Sequence, residues 1–222
     1  MSKVKFVHLH VHSEFSLLDG LSKIGGLVEK TVEYGSPALA LTDHGGMYGA
    51  IEFYKKTIKV GVKPIIGCEL YMSAGDRKEK KRKDAFHLTV WARDLRGYKN
   101  LMKLVTIGQI EGFYYKPRVD KELLEKYSGG LIAIIPSFSG ETTMAIKEKD
   151  EEKVKEKLDW YKNTFGSESV YLEITHHPEI AGHEELQEKI KQLAKDTNTP
   201  LVAAHDVYYI KPEDRKTRET VM

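Results

Sequence analysis

The sequence predicts an α/β fold, a barrel of seven strands with intervening helices, one strand short of a (β/α)8 barrel. Three observations predict it. Short apolar or alternating segments recur seven times, with charged stretches of helical periodicity between most of them. The 222 residues contain no Pro/Gly/Ser-rich linker and no internal repeat, so 1–222 reads as a single domain. Histidines and acids gather at predicted C-terminal strand ends, where barrels of this kind carry their chemistry. A doubly wound open sheet is the alternative.

The first strand is "VKFVHLHVH" (4–12), in which apolar and polar positions alternate. Leu21, Ile24, Leu27, Val28 and Val32 then recur at helical spacing. "SPALALTD" (Ser36 to Asp43) is the second strand, and a helix follows from Gly49 to Lys59. "VKPIIGCELYM" and "AFHLTVWA" are the third and fourth strands. Between them run nine consecutive charged residues, "DRKEKKRKD" (Asp76 to Asp84), read either as a solvated hairpin loop or as an arm against a nucleic-acid backbone. Tyr98, Leu101, Met102 and Val105 mark the next helix, and Gly129–Gly130 opens the strand "LIAII". Val154, Leu158, Tyr161 and Phe165 stripe a charged helix that leads into the strand "SVYLEIT". Leu186, Ile190, Leu193 and Ala194 stripe another, and "TPLVAAHD" is the last strand. This order favours a parallel sheet with crossover helices.

Composition narrows the function classes. At 41% hydrophobic and 31% charged the chain is ordinary globular material. A net charge of +2 does not mark a nucleic-acid binder. Cys68 is the only thiol, so no intrachain disulfide forms, which fits a reducing cytosol; Cys68 itself reads as a small core residue. "MSKVKFVHL" lacks the apolar segment of a signal peptide, and no run approaches the roughly 18 apolar residues of a membrane span, so a cytoplasmic protein with no membrane partner is expected. No P-loop, G-x-S-x-G elbow or G-x-G-x-x-G fingerprint is present.

The chemistry lies in "HLHVHSEFSLLDG". Residues i and i+2 of a strand face the same side, so His10 and His12 can offer both imidazoles to one metal ion. His8 lies deeper in the strand and reads as a hydrogen-bonded histidine behind the site. Strand two ends in Asp43 and His44, strand three carries Glu69 in an apolar run, strand four carries His87, and the last strand ends in His205 and Asp206. Asp19 follows strand one. A lone buried acid such as Glu69 is costly unless it is paired or ligates a metal. Singly, Asp19 reads equally as a turn residue and His87 as a core histidine. Together they exceed the needs of one ion, so a polynuclear site bridged by Glu69 is expected, with phosphoester hydrolysis as its leading chemistry.

The segments "HLHVHSEFSLLDG", "ALTDHGGMYGAIEFY", "KPIIGCELYM", "HLTVWARDLRGYKNLMKL", "GFYYKPRVDKELLEKYSGGLIA" and "LVAAHDVYYIKPEDR" resemble the PHP (polymerase and histidinol phosphatase) family, in the branch of bacterial DNA polymerase III alpha subunits. The resemblance runs across nearly the whole chain. It implies a distorted (β/α)7 barrel, an N-terminal domain excised from a larger polymerase, and up to three zinc, manganese or iron ions. One ion would take His10, His12, Glu69 and Asp206. A second would take Glu69, His87 and position 137, and a third Asp19, His44 and position 208. Ser137 and Tyr208 depart from the family's ligands and are poor donors beside imidazole or thiolate. One intact site and two weakened ones are therefore expected, unless His205 or His176 substitutes.

The implied activity is a 3′–5′ exonuclease acting on single-stranded DNA ends, with a metal-activated water as the attacking group. Asp43 by position and Arg118 as a phosphate contact are the candidate auxiliaries. The alternatives are a non-catalytic module that braces the rest of the polymerase chain and docks a proofreading exonuclease subunit, and a small-molecule phosphatase.

Overall fold

The computed structural model describes residues 6–80 and 85–221. In chain order the elements are β1 (His10–Val11), α1 (Ile24–Glu33), β2 (Ala38–Leu41), α2 (Ala50–Lys59), β3 (Lys63–Ser73) and β4 (Ala85–Ala92). They continue as α3 (Leu95–Ile110), β5 (Phe113–Tyr114), β6 (Lys116–Val119), α4 (Lys121–Tyr127), β7 (Leu131–Ile135), α5 (Glu141–Glu148) and α6 (Glu151–Phe165). The chain ends with β8 (Val170–Ile174), α7 (His183–Asp196), β9 (Leu201–Ala203), β10 (Asp206–Val207) and α8 (Asp214–Val221).

Seven strand positions make a ring. β2 pairs β3, β3 pairs β4, β4 pairs β7, β7 pairs β8 and β8 pairs β9. The predicted last strand breaks after Ala203 and resumes as β10, which pairs in parallel with β1 and sets His10 opposite Asp206. Backbone bonds from Ala40 N to the His8 carbonyl and from Thr42 N to the Val11 carbonyl join β1 to β2. The break between β9 and β10 and the shortness of β1 make the barrel a distorted one.

The expected all-parallel sheet needs one correction. β4 runs antiparallel to both of its neighbours, β3 and β7. The reason is the connection: β3 ends at Ser73 and β4 begins at Ala85, too short a span for a crossover, and a hairpin connection forces antiparallel pairing. The reversal brings the first residues of β4 to the rim formed by the last residues of the other strands. His87, the third residue of β4, thereby sits opposite Tyr71, two residues beyond Glu69.

The charged run divides. Residues 81–84 lie outside the described residues. Arg77, at its start, is buried and bonded to Asp120 (3.0 Å) and Glu111 (2.7 Å), so this end is anchored to the body of the fold. The sequence reading missed the β5–β6 hairpin, α4 and α5. Asp120 caps α4 by accepting from Leu123 N at 3.1 Å.

The main core fills the space between the sheet and the helices outside it, running from Cys68, Leu88, Val90 and Ala133 to Leu101, Leu158 and Ile190. A second cluster, including Val11, Ile24, Leu41 and Phe53, packs α1 and α2 on the β1–β2 side. Cys68 is buried in the main core, as expected, and burial pushes its thiol pKa up. Among the described residues no helix is long and apolar enough to cross a membrane.

Candidate metal centre

Glu69 is the hub. It lies in the middle of β3, only 2% exposed, and four imidazoles point at its carboxylate. His10 Nε2 lies 3.1 Å from Oε2, His12 Nε2 3.2 Å, and His44 Nδ1 3.2 Å. His87 Nδ1 lies 2.7 Å from Oε1. The potential ligand atoms of His10, His12 and Glu69 all lie within 4.8 Å of one another, and so do those of His44, Glu69 and His87. The two groups share Glu69.

Backbone geometry explains the convergence. β1 and its extension, in which His12 N bonds the Val207 carbonyl, present His10 and His12 on one side, as the two-residue period requires. After Asp43 the chain turns through Gly45, at φ +56°, a conformation that favours glycine. Glu69 N bonds the Asp43 carbonyl at 3.1 Å and Gly45 N bonds the Glu69 carbonyl at 2.8 Å, which locks His44 beside Glu69. Ring stacking holds the imidazole planes: His12 lies 4.5 Å from Tyr208 at 6° and 4.3 Å from His44 at 27°.

The hydrogen-bond network fixes where the protons sit. Asp43 is buried and accepts from Ser13 N (2.6 Å), Ser13 Oγ (2.8 Å) and Ser16 Oγ (2.7 Å). Ser16 has one proton and gives it to Asp43, so its oxygen can only accept from His12 Nδ1 at 3.2 Å. His12 therefore carries its proton on Nδ1, and a lone pair on Nε2 faces a carboxylate oxygen. Burial keeps His12 neutral: it lowers the pKa, against the raising influence of Glu69. His44 repeats the pattern, since an Nε2–H donated to Asp19 Oδ2 at 2.9 Å leaves the Nδ1 lone pair aimed at Glu69. Both nitrogens, His12 Nε2 and His44 Nδ1, are buried without a hydrogen-bond partner. Lone pairs converging on an anionic oxygen repel one another, and a divalent cation among them turns that repulsion into ligation. The donor set therefore fits a metal ion.

His10 is held from behind. Its Nδ1 lies 3.0 Å from Glu173 Oε1, and Glu173 Oε2 accepts from Ser137 N at 3.0 Å. Burial works to lower the His10 pKa, but the charge of Glu69 and the hydrogen bonds to Glu173 and Glu69 outweigh it and raise the value well above 6.5. Glu69 moves the opposite way. Its burial raises the pKa, yet the charge of His10 and hydrogen bonds from His10 and His87 hold it well below 4.5.

The other sequence candidates divide around this cluster. Asp19 meets His44 on one oxygen and Arg218 on the other. Asp206 lies beside His10 on the adjacent strand, but its carboxylate joins neither ligand group; its recorded partner is the Tyr208 hydroxyl at 3.5 Å. Ser137 Oγ is taken up by Thr175 (2.9 Å) and Glu173 (3.3 Å), in the shell that supports His10. His205 packs on His177, ring centres 4.5 Å apart, and His176 is exposed. Both line a cleft next to Thr175 and Ala204, so neither is drawn into the cluster as a substitute ligand.

Two candidate auxiliaries are corrected. Asp43 is spent on Ser13 and Ser16, so it orients His12 and is not placed to take a proton from a reacting group. Arg118 is 1% exposed, and its guanidinium donates to the carbonyls of Gly112 (3.1 Å), Arg77 (2.9 Å) and Glu79 (2.8 Å). It pins the start of the charged segment to the β5–β6 hairpin and offers nothing to a phosphate.

Sequence reasoning missed Glu173, Ser16 and Arg218. Glu173 carried a usable signal, an acid in the apolar run "VYLEI", the same anomaly that singled out Glu69. Ser16 and Arg218 carried none, because a loop serine and a helical arginine are ordinary.

Comparisons with known proteins identify the family. The family model described as "PHP domain" matches residues 8–177. The chain is 40% identical over 222 residues to DNA polymerase III subunit alpha of Borreliella burgdorferi, covering 98% of this chain and 19% of that one. The Aquifex aeolicus subunit is 42% identical over 231 residues, covering 100% and 20%. The chain thus spans about a fifth of the length of the curated relatives it matches. Among solved structures, a protein from Bifidobacterium adolescentis named as a metal-dependent phosphoesterase superposes with TM-score 0.60 at 14% identity, covering 94% of this chain and 90% of that one. An amidohydrolase from Chromobacterium violaceum, with bound sulfate and no metal, gives 0.57 at 14%, covering 97% and 96%. At these identities the two structures speak for the fold alone.

Proposed function

The chain belongs to the PHP domain family, and from that premise we propose that it binds divalent metal at the Glu69 cluster and hydrolyses phosphodiesters at DNA 3′ ends, as one domain of a cytoplasmic DNA polymerase III alpha subunit. The observation that carries the metal reading is the pair of orphaned lone pairs on His12 Nε2 and His44 Nδ1, both aimed at Glu69. His10, His12, His44, Glu69 and His87 are the proposed ligands, with Asp206 at the margin. Three or four imidazoles and one carboxylate suit zinc, with manganese as the alternative.

A divalent ion supplies Lewis-acid polarisation of a phosphoryl oxygen and a water of lowered pKa. The chain's own residues prepare for it. Glu173 keeps the His10 proton on Nδ1, the Asp43–Ser16 pair keeps the His12 proton on Nδ1, and Asp19 keeps the His44 proton on Nε2. His12 and His44 each keep one electron pair facing the centre, and His10 presents its own once the Nε2 proton is displaced on metal binding.

The test is elemental analysis of the purified chain, combined with nucleotide release from a 3′-labelled single strand before and after chelation. Metal bound at one or more equivalents, with release abolished by chelator and restored by Zn2+ or Mn2+, supports the proposal. Metal without release favours a second reading, a structural brace that docks a proofreading exonuclease. That reading draws support from Ser137 and Tyr208, whose hydroxyls are committed to protein partners. A chain that binds no metal refutes the central claim.

A further inference from the structure

The Asp19 corner is built differently from the Glu69 cluster next to it. Asp19 Oδ2 faces His44 Nε2 at 2.9 Å. Its Oδ1 accepts from Arg218 Nη2, and its backbone carbonyl accepts from Arg218 Nε at 3.0 Å. The guanidinium lies 4.0 Å from the centre of the Tyr208 ring, and the same ring stacks on His12. Arg218 sits in α8, 199 residues from Asp19, so this contact closes the far end of the described chain onto the loop after β1.

Both carboxylate oxygens of Asp19 are therefore in use, one of them by a full positive charge. His44 has one nitrogen on Asp19 and the other facing Glu69. The third neighbour, Tyr208, offers a phenol whose hydroxyl points to Asp206. The charge of Asp19 is already countered by the guanidinium, and a second cation would meet that guanidinium at close range. A metal ion does not fit this corner as built.

We propose that the Arg218 guanidinium is a resident cation at the Asp19 corner, standing where a metal ion would otherwise sit, so that the chain takes metal only at the Glu69 cluster. The planar fork bonds a carboxylate oxygen and a backbone carbonyl together, and its flat face lies over an aromatic ring, which a lysine ammonium cannot reproduce. The arrangement keeps Asp19 available to orient His44 without recruiting a further ion. It rests on the reading that Glu69 holds metal.

The experiment counts metal, not activity. The purified chain is loaded with Mn2+, desalted and analysed for manganese per chain, with thermal melting as the check on folding. Arg218→Gln, which removes the charge and frees an Asp19 oxygen, is expected to bind one equivalent more. Arg218→Lys, which keeps a charge, stays at the parent count. An unchanged count in folded Arg218→Gln would overturn the proposal, and so would a gain in Arg218→Lys equal to that in Arg218→Gln. A parent chain that binds no manganese or zinc at all sinks the Glu69 reading instead, which separates the two failures.

Discussion

Replacing Glu173 with Gln tests how the cluster is held. Glu173 is 2% exposed and grips two groups: His10 Nδ1 on Oε1 at 3.0 Å and Ser137 N on Oε2 at 3.0 Å. The backbone N–H of Ser137 can only donate, so glutamine must turn its carbonyl oxygen toward Ser137. Its amide NH2 then faces His10 Nδ1, donor against donor. His10 can answer only by moving its proton to Nε2, the nitrogen that lies 3.1 Å from Glu69. The ligand lone pair is lost from the centre while every atom keeps nearly its place. Removing the partner of a ligating histidine costs about 10–100-fold in metal affinity, which is about 1.4–2.8 kcal/mol. The assay is a competition titration with a chromophoric chelator, run on Glu173→Gln and the parent chain. A variant that folds and binds metal with parent affinity would refute the claim that Glu173 sets the His10 tautomer.

Four further outcomes follow from the same geometry. His10→Ala should lower metal content and melting temperature together, because a metal bound only to the folded chain adds stability, about 4 kcal/mol at a thousandfold excess over Kd; melting scans with and without chelator check it, and unchanged metal content refutes the ligand assignment. Metal affinity should fall about tenfold per pH unit as the pH drops below the raised His10 pKa, since binding must displace that proton; proton release on titration measures it. In metal-free protein, His10 adds stability below 6.5 that fades as pH rises through its raised folded value, and Glu69 adds stability above 4.5 that fades as pH falls through its depressed one. Metal-free melting temperature should therefore peak between those limits, and a monotonic rise to pH 8 would contradict this. Arg118→Met should cost on the order of 3 kcal/mol by stranding three carbonyls while leaving metal content intact; loss of DNA affinity without loss of stability would restore the phosphate-contact reading.

Much of this site was legible before any coordinates, and the legible part shares one property. His10 and His12 follow from the two-residue period of a strand, and Glu69 from the cost of burying an acid among apolar neighbours. The same rules place the seven barrel positions, because apolar runs and helical stripes are local signals. What escaped was set by contacts distant in sequence. The reversal of β4 depends on a connection, and its consequence, His87 at the rim through the start of its strand, cannot be read from "AFHLTVWA" alone. Asp206 was expected among the ligands because it ends the last strand; the break after Ala203 makes it the start of β10, opposite His10, with the Tyr208 hydroxyl on its carboxylate.

Arg118 and Arg218 show why charge identity alone misleads. The sequence reading offered Arg118 to phosphate and gave Arg218 no role. Arg118 is enclosed by carbonyls in the β5–β6 region, whereas Arg218 reaches back to Asp19 at the mouth of the cluster. Their chemistry is the same and their surroundings decide the role: one organises backbone, the other neutralises an acid beside the metal cluster. The same distinction separates Asp43 from Glu69, two buried acids in consecutive strand positions of the barrel. Asp43 is satisfied by three donors, at least one on each oxygen. Glu69 faces nitrogens that cannot all donate, and that deficit, which the protein fold alone does not relieve, is what makes it the place for a cation.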